Sequence, residues 1–152
     1  MEKKYKLTDE TIEVEGKVLY RIEALKDFCE IKKGDKGGFI ESEDNLSHEG
    51  NAWVYDDACV YDNALVTDDA CVSDNARVYN DARLYDNSWV YGNACVYGTS
   101  CVCDDARVCG NSRVYGTARV TDDARVCGNS RVYDNDWVYD HAFGVWKRSN
   151  KK

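Results

Sequence analysis

"ARVCGNSRVYGTARV", residues 106–120, says nearly the same six-residue phrase three times. A small residue is followed by one variable residue, an aliphatic residue, another variable residue and a two-residue turn. The same frame runs from Ala52 to Phe143 without an insertion. Its aliphatic column is Val54, Val60, Val66, Val72, Val78, Leu84, Val90, Val96, Val102, Val108, Val114, Val120, Val126, Val132 and Val138, fifteen in register. Two residues before each stands Ala or Ser, with Asp136 the one break in the column. A fixed internal period outweighs local propensity as a fold signal.

In small-x-Val-x the first and third side chains share one face of an extended segment. The pairs that follow, Asp-Asn, Asp-Asp, Gly-Asn or Gly-Thr, tolerate left-handed backbone angles and turn the chain. Four extended residues and a two-residue corner, closing after three strands, describe a triangular parallel β-solenoid. Val and Ala fill its axis. Five regular coils stacked at about 4.8 Å give a rod roughly 24 Å long. A helix does not fit, because period six matches no face of a 3.6-residue turn and the stretch is rich in Gly, Asn, Asp and Val.

The pattern resembles the hexapeptide-repeat left-handed β-helix family. That resemblance alone implies the left hand, since parallel crossovers in general favour the right. The entry sequence "GDKGGFIESEDNLSHEGNAWVYDDA", residues 34–58, with its Gly-Gly-aromatic step, Asn-Leu-Ser and Gly-x-Ala-Trp-Val-Tyr-Asp, looks like the start of YdcK-like bacterial and prophage repeat proteins. It implies a phage or prophage setting more than a reaction, because one fold hosts many activities.

Residues 1–47 read as an N-terminal β cap, 48–143 as the repeat, and 144–152 as a C-terminal cap and basic tail. Within the cap, residues 5–26 alternate as a hairpin turning at Glu15-Gly16. Ile12, Val14, Val18, Tyr20 and Ile22 are its apolar contributors, and Leu46 opens an irregular first coil. At the far end Asp136, Trp137, Phe143 and Trp146 replace regular residues and are expected to plug the last coil, since open ends of a solenoid need capping. An ionised inward Asp136 is costly without partners, so either the coil is open there or backbone donors of the C-terminal segment meet it.

Net charge is −8, and between residues 51 and 146 the only charged types are Asp, 15 of them, and Arg, 7 of them. Such an acidic body argues against nonspecific nucleic-acid binding, which needs clustered cations. The start "MEKKYKLTDE" has no apolar run and no segment is long enough to span a membrane. A cytoplasmic setting with mostly reduced thiols is expected for the eight Cys. Cys109 and Cys127, one coil apart, are within reach of each other for a disulfide on oxidation, and Arg107 and Arg125 beside them favour thiolates.

Residues eighteen apart stack, so the outward columns can be read face by face. Face one carries Trp53 and Tyr55, Cys71 and Ser73, Trp89 and Tyr91, Arg107 and Cys109, Arg125 and Cys127. Face three carries Leu65 and Thr67, Arg83 and Tyr85, Cys101 and Cys103, Arg119 and Thr121, Trp137 and Tyr139. Face two alone has an unbroken aromatic ladder, Tyr61, Tyr79, Tyr97, Tyr115 and Tyr133, beside Arg77, Arg113 and Arg131. Aromatic pairs across strands stabilise sheets, and Tyr and Arg favour interfaces. These eight residues are the candidate binding site, for a homo-oligomer, a host protein or a small anionic, nucleotide-like ligand. The family resemblance implies a trimer.

The corner after face three gathers Asp68, Asp69, Asp86, Asp104, Asp105, Asp122, Asp123 and Asp140. Oxygen ligands of this kind suit divalent cations, but solvated turn residues helped by Arg107 and Arg125 are the expectation, with no metal and no cofactor. Many hexapeptide-repeat proteins are acyltransferases acting on CoA-type substrates, which use a His base beside a projecting loop. Here only His48 and His141 exist, and the repeat has no such loop. A zinc carbonic anhydrase of this fold would need three His ligands. The expected function is a non-catalytic binding or structural module, for example a phage accessory protein that inhibits a host defence, with the acyltransferase as the alternative.

Overall fold

The computed structural model describes residues 3–139. The expected plug residues Phe143 and Trp146, together with Asp140, His141 and the basic tail, lie outside them. Two strands, β1 (Tyr5–Val14) and β2 (Lys17–Ala24), form an antiparallel hairpin whose turn, Glu15-Gly16, has positive φ at both residues, 51° and 80°. A third, β3 (Lys36–Ile40), pairs antiparallel with β2. Fifteen two-residue strands follow, from β4 (Trp53–Val54) to β18 (Trp137–Val138), each ending on a residue of the aliphatic column.

These strands sort into three parallel sheets in which every residue faces the one eighteen places on: Val54 with Val72, Val60 with Val78, Val66 with Leu84. The triangular β-solenoid is therefore the observed architecture. Faces one and three hold five strands each. Face two holds eight, because β3 continues its ladder and brings the hairpin with it. Phe39 and Ile40 face Cys59 and Val60, and Leu46 bridges to Val66. The ladder thus begins at Ile40, twelve residues before the strict frame, in a coil with two extra residues between Leu46 and Val54.

The aliphatic column is fully buried, and so is the Ala column. At three of its four places in the column Ser turns its hydroxyl onto a carbonyl three residues back: Ser88 donates to Tyr85, Ser100 to Tyr97 and Ser130 to Cys127, at 2.7–2.9 Å, while the buried Ser112 hydroxyl makes no such bond. Asp136 does the reverse. It is buried, and its Oδ2 accepts the backbone N–H of Tyr133 at 3.2 Å. That donor is the residue just before its own corner, three residues back.

In the hairpin Val18 is 47% exposed, while its neighbour Leu19 is buried. Leu19 packs in the cluster over face two and Ile22 and Ala24 in the main core, while Val18 faces solvent and is not a core contributor. The hairpin covers face two at its N-terminal end: Val14, Leu19, Phe39, Cys59 and Tyr61 form one buried cluster.

The N-terminal edge of the rod is closed atom by atom. Inside the rod the carbonyls of Ala70, Ala76 and Ala82 accept from the backbone amides of Trp53, Cys59 and Leu65 one coil earlier. In the first coil the equivalent carbonyls belong to Ala52, Ala58 and Ala64. Ala58 accepts from the amide of Phe39 at 2.9 Å. Ala52 accepts from Lys4 Nζ at 2.7 Å, and Ala64 from Asn45 Nδ2 at 2.8 Å. Two side chains stand in for amides that a preceding coil would supply, as buried carbonyls require. Burial lowers the Lys4 pKa to about 8, with the positive charge of Lys26 adding to the effect.

Candidate functional site

The corners come first, because they hold the strands in place. The first corner residue, two after the aliphatic one, has φ between 55° and 75° at every turn from Asp56 to Asp134. It is always Asp, Asn or Gly, the residues that enter this region at least cost. Where it is Asp, its carboxylate accepts the amide of the same corner one coil on. The pairs are Asp56 with Asp74, Asp62 with Asn80, Asp68 with Asp86, Asp74 with Gly92, Asp86 with Asp104 and Asp104 with Asp122, at 3.0–3.2 Å. Where Gly stands first, the second residue makes the ladder instead, as Asn93, Asn111 and Asn129 do through their amides.

This accounts for much of the acidic corner. Asp68, Asp86 and Asp104 are turn residues that tie successive coils. The expected help from Arg107 and Arg125 is not formed: among the described residues neither makes an ion pair, and the Arg107 guanidinium lies over the Trp89 ring at 5.4 Å. Asp86, Cys103 and Asp104 bring three ligand-type atoms within 4.8 Å of one another. Burial, chiefly, holds the Cys103 thiol at about 11, and Asp104 and Asp86 repel its thiolate.

On face two the tyrosines form a continuous stack. Ring centroids are 5.1 Å apart for Tyr61–Tyr79, 4.9 Å for Tyr79–Tyr97, 5.0 Å for Tyr97–Tyr115 and 5.5 Å for Tyr115–Tyr133, with planes within 13° of parallel. The coil spacing sets this distance. Tyr61 is fully buried under the hairpin cluster, so it is the root of the stack and is not presented to a ligand. Tyr79, Tyr97, Tyr115 and Tyr133 are half-buried, and Arg77, Arg113 and Arg131 are exposed. Burial pushes the Tyr79 hydroxyl up to about 12, with the neighbouring Cys95 and Tyr97 adding to it. The Tyr97 hydroxyl beside the Arg113 guanidinium raises the Arg113 pKa.

That contact is one case of a diagonal rule. A residue before the aliphatic column meets the residue after it in the preceding coil, sixteen positions back. Trp89 Nε1 donates to Ser73 Oγ at 3.0 Å, and Trp137 Nε1 to Thr121 Oγ1 at 2.9 Å. Reading columns only at eighteen misses these pairs, although sixteen was equally available from the sequence. Arg113 and Arg131 face each other directly across neighbouring strands, as do Arg107 and Arg125. Cys109 and Cys127 are joined in a disulfide, with Cα atoms 4.6 Å apart.

Of the two histidines, His48 is held inside the cap. It accepts the Lys4 amide at Nδ1 (3.0 Å), meets Glu43 Oε1 through Nε2 (2.8 Å) and stacks on Tyr5 at 4.2 Å between centroids. Both ring nitrogens are thus engaged in tying β1 to the first coil. The bond to His48 also lowers the Glu43 pKa.

Residues 70–86, nearly one coil, match the family model for the YdcK beta solenoid repeat. The chain carries a YdcK-like solenoid repeat. No curated protein matches it significantly. The matched stretch holds Ala70, Val72, Ala76, Val78, Ala82 and Leu84, the core letters of the YdcK-like frame, together with Arg77 and Tyr79 of face two.

Proposed function

We propose that this YdcK-like solenoid is a non-catalytic binding module whose working surface is face two, and that it engages a protein partner there. The observation that carries this is the half-exposed stack of Tyr79, Tyr97, Tyr115 and Tyr133 flanked by the exposed, unneutralised Arg77, Arg113 and Arg131. Rigid aromatic edges and guanidinium groups give contact area at small entropic cost. A nucleotide-like ligand is the weaker form of the proposal. Base recognition uses open ring faces, whereas Tyr79, Tyr97 and Tyr115 each have a ring on both sides and offer edges and hydroxyls.

The non-catalytic reading is supported by what the polar groups already do. His48 holds the cap together, the corner carboxylates hold the coils, and each corner from Asp56 to Asn135 is two residues long, without a projecting loop. The proposal includes cytoplasmic action as a phage or prophage accessory protein that binds a host factor, on the strength of the YdcK-like resemblance.

The test is a photo-crosslinking residue placed at Tyr97 or Tyr115, with Tyr85 on face three as control, followed by native mass spectrometry. Adducts at 97 that weaken on Tyr115→Ser, and adducts at 115 that weaken on Tyr97→Ser, are expected. Adducts at 85 alone, or acetyl-CoA turnover by the purified protein, overturn the proposal.

A further inference from the structure

The Arg column of face two is interrupted in a specific way. Coil by coil it reads Cys59, Arg77, Cys95, Arg113, Arg131. The outer residue of the corner between faces three and one, eight positions earlier in each case, reads Asn51, Asp69, Asn87, Asp105, Asp123. Neutral stands against neutral and Arg against Asp in the four rows from Arg77 to Arg131; in the first row Cys59 lies buried under the hairpin, opposite Asn51 in sequence only. The Arg columns of face one (107, 125) and face three (83, 119) do not have this pattern.

The two columns cannot pair within one rod. In a three-sided solenoid the corner between faces three and one is the vertex opposite face two. Accordingly, among the described residues none of Arg77, Arg113 and Arg131 is in an ion pair, and Asp105 and Asp123 make no side-chain hydrogen bond or ion pair. All six charged residues of the two columns are exposed. Arg113 and Arg131 moreover sit directly opposite one another, an arrangement that is unfavourable without a counter-charge.

We infer that the partner of face two includes a second copy of this chain, docked with its Asp69–Asp105–Asp123 vertex along the Arg77–Arg113–Arg131 column. This rests on face two being a contact surface. The spacing supports it, since only an array of stacked coils repeats charge at the strand interval of about 4.8 Å. The offset of eight residues in eighteen raises one column by about 2 Å relative to the other, on that same spacing, a shift an Arg side chain absorbs. The gap also sets the register. Copies slipped by one coil set an Arg against Asn87 and an Asp against Cys95, and antiparallel copies in full overlap keep only Arg77–Asp105 and Arg113–Asp69, with Arg131 against Asn51 and Asp123 against Cys59. Complementary charge of this kind fixes register and excludes mispaired neighbours. Because vertex and face point in opposite directions, the contact is heterologous and translational, and it leaves a free face and a free vertex at the two ends of any row. Exposed ion pairs are individually weak and salt-screened, so the rows grow with concentration and shrink with salt.

Sedimentation velocity of the intact protein from micromolar to millimolar concentration, at 20 mM and 500 mM NaCl, tests this. Expected are species larger than a monomer at low salt, with at least a tenfold weaker association at high salt. Arg113→Glu/Arg131→Glu alone and Asp105→Arg/Asp123→Arg alone should each stay monomeric, and their equimolar mixture should associate again. Asn87→Asp/Cys95→Arg, which fills the empty row, should tighten association. Far-UV circular dichroism of each variant confirms folding. A wild type that is monomeric throughout, or association that survives salt and both reversals, overturns the inference. Crosslinks of a different protein at 97 and 115 in a strictly monomeric solenoid would leave face two as a contact surface while removing the second copy.

Discussion

The carboxylate of Asp86 accepts the backbone amide of Asp104, one coil further on, at 3.1 Å, and the carboxylate of Asp104 accepts that of Asp122 at 3.0 Å. The residue that makes the turn also anchors the next turn. Asp86→Ala loses the acceptor and keeps a side chain at φ 58°, for a combined cost of about 2 kcal/mol. Asp86→Gly removes the backbone strain but still loses the bond, and costs about 1 kcal/mol. Asp86→Asn retains an acceptor oxygen and costs least. Urea melts of the three variants should rank them in that order.

Gly110 and Gly128 occupy equivalent corners with different neighbours. A methyl group on Gly110 would sit 2.7 Å from the backbone nitrogen of Gly128, whereas one on Gly128 meets nothing within 4 Å among the described residues. Gly128→Ala therefore costs only the left-handed backbone penalty, about 1–2 kcal/mol. Gly110→Ala adds the separation of two coils, a further 1–3 kcal/mol typical of overpacking. Equal melting temperatures for the two variants would contradict the stacking at this corner.

The Cys109–Cys127 disulfide ties two coils through an eighteen-residue loop. The chain-entropy model gives a loop of this size about 3 kcal/mol. Dithiothreitol should lower the melting midpoint of the wild type by several degrees and leave Cys109→Ser/Cys127→Ser unaffected. Thiol counting under native conditions should find Cys59, Cys71, Cys95 and Cys103 slow to react beside the exposed Cys29, since burial, first among the causes, raises their pKa.

Stability should fall in alkali. Cys71 and Cys103 titrate near 11 in the folded chain, and Tyr79 and Tyr85 near 12, in each case mainly through burial. Their ordinary values are lower, so the unfolded chain releases protons first. The stability they contribute is complete below about pH 8.5 for the thiols and about 10 for the phenols, and is lost as pH rises through the folded values. Lys4, lowered to about 8, works in the opposite direction between 8 and its ordinary value of 10.5. Denaturant midpoints at pH 7, 9.5 and 11 should decline overall, and less steeply in Tyr79→Phe/Tyr85→Phe.

The six-residue period made the rod legible, because the same packing problem is solved fifteen times and each solution leaves the same letters. The Tyr61–Tyr133 ladder and the Cys109–Cys127 pairing followed from counting eighteens. What did not follow occurs once. Nothing periodic marks Lys4 or Asn45 as donors to the Ala52 and Ala64 carbonyls, since a Lys buried at an edge and a Lys in solvent look alike in sequence. The burial of Tyr61 depends on how the hairpin folds back over face two, a contact between segments about 45 residues apart that alternation alone cannot set. Asp corners were readable as turns, but their amide-accepting role needs the next coil in view.

The sealed N-terminal edge has a consequence for how such a rod changes over generations. Lys4, Phe39 and Asn45 cap the carbonyls of the first coil, and within the rod each strand pairs with the strands one coil away. Removing or duplicating eighteen residues within 71–124 therefore rejoins equivalent corners and leaves the seal untouched. The molecule is a ruler graduated in coils, about 4.8 Å to the mark, and the number of Tyr and Arg rungs it displays can be lengthened or shortened without redesigning the fold.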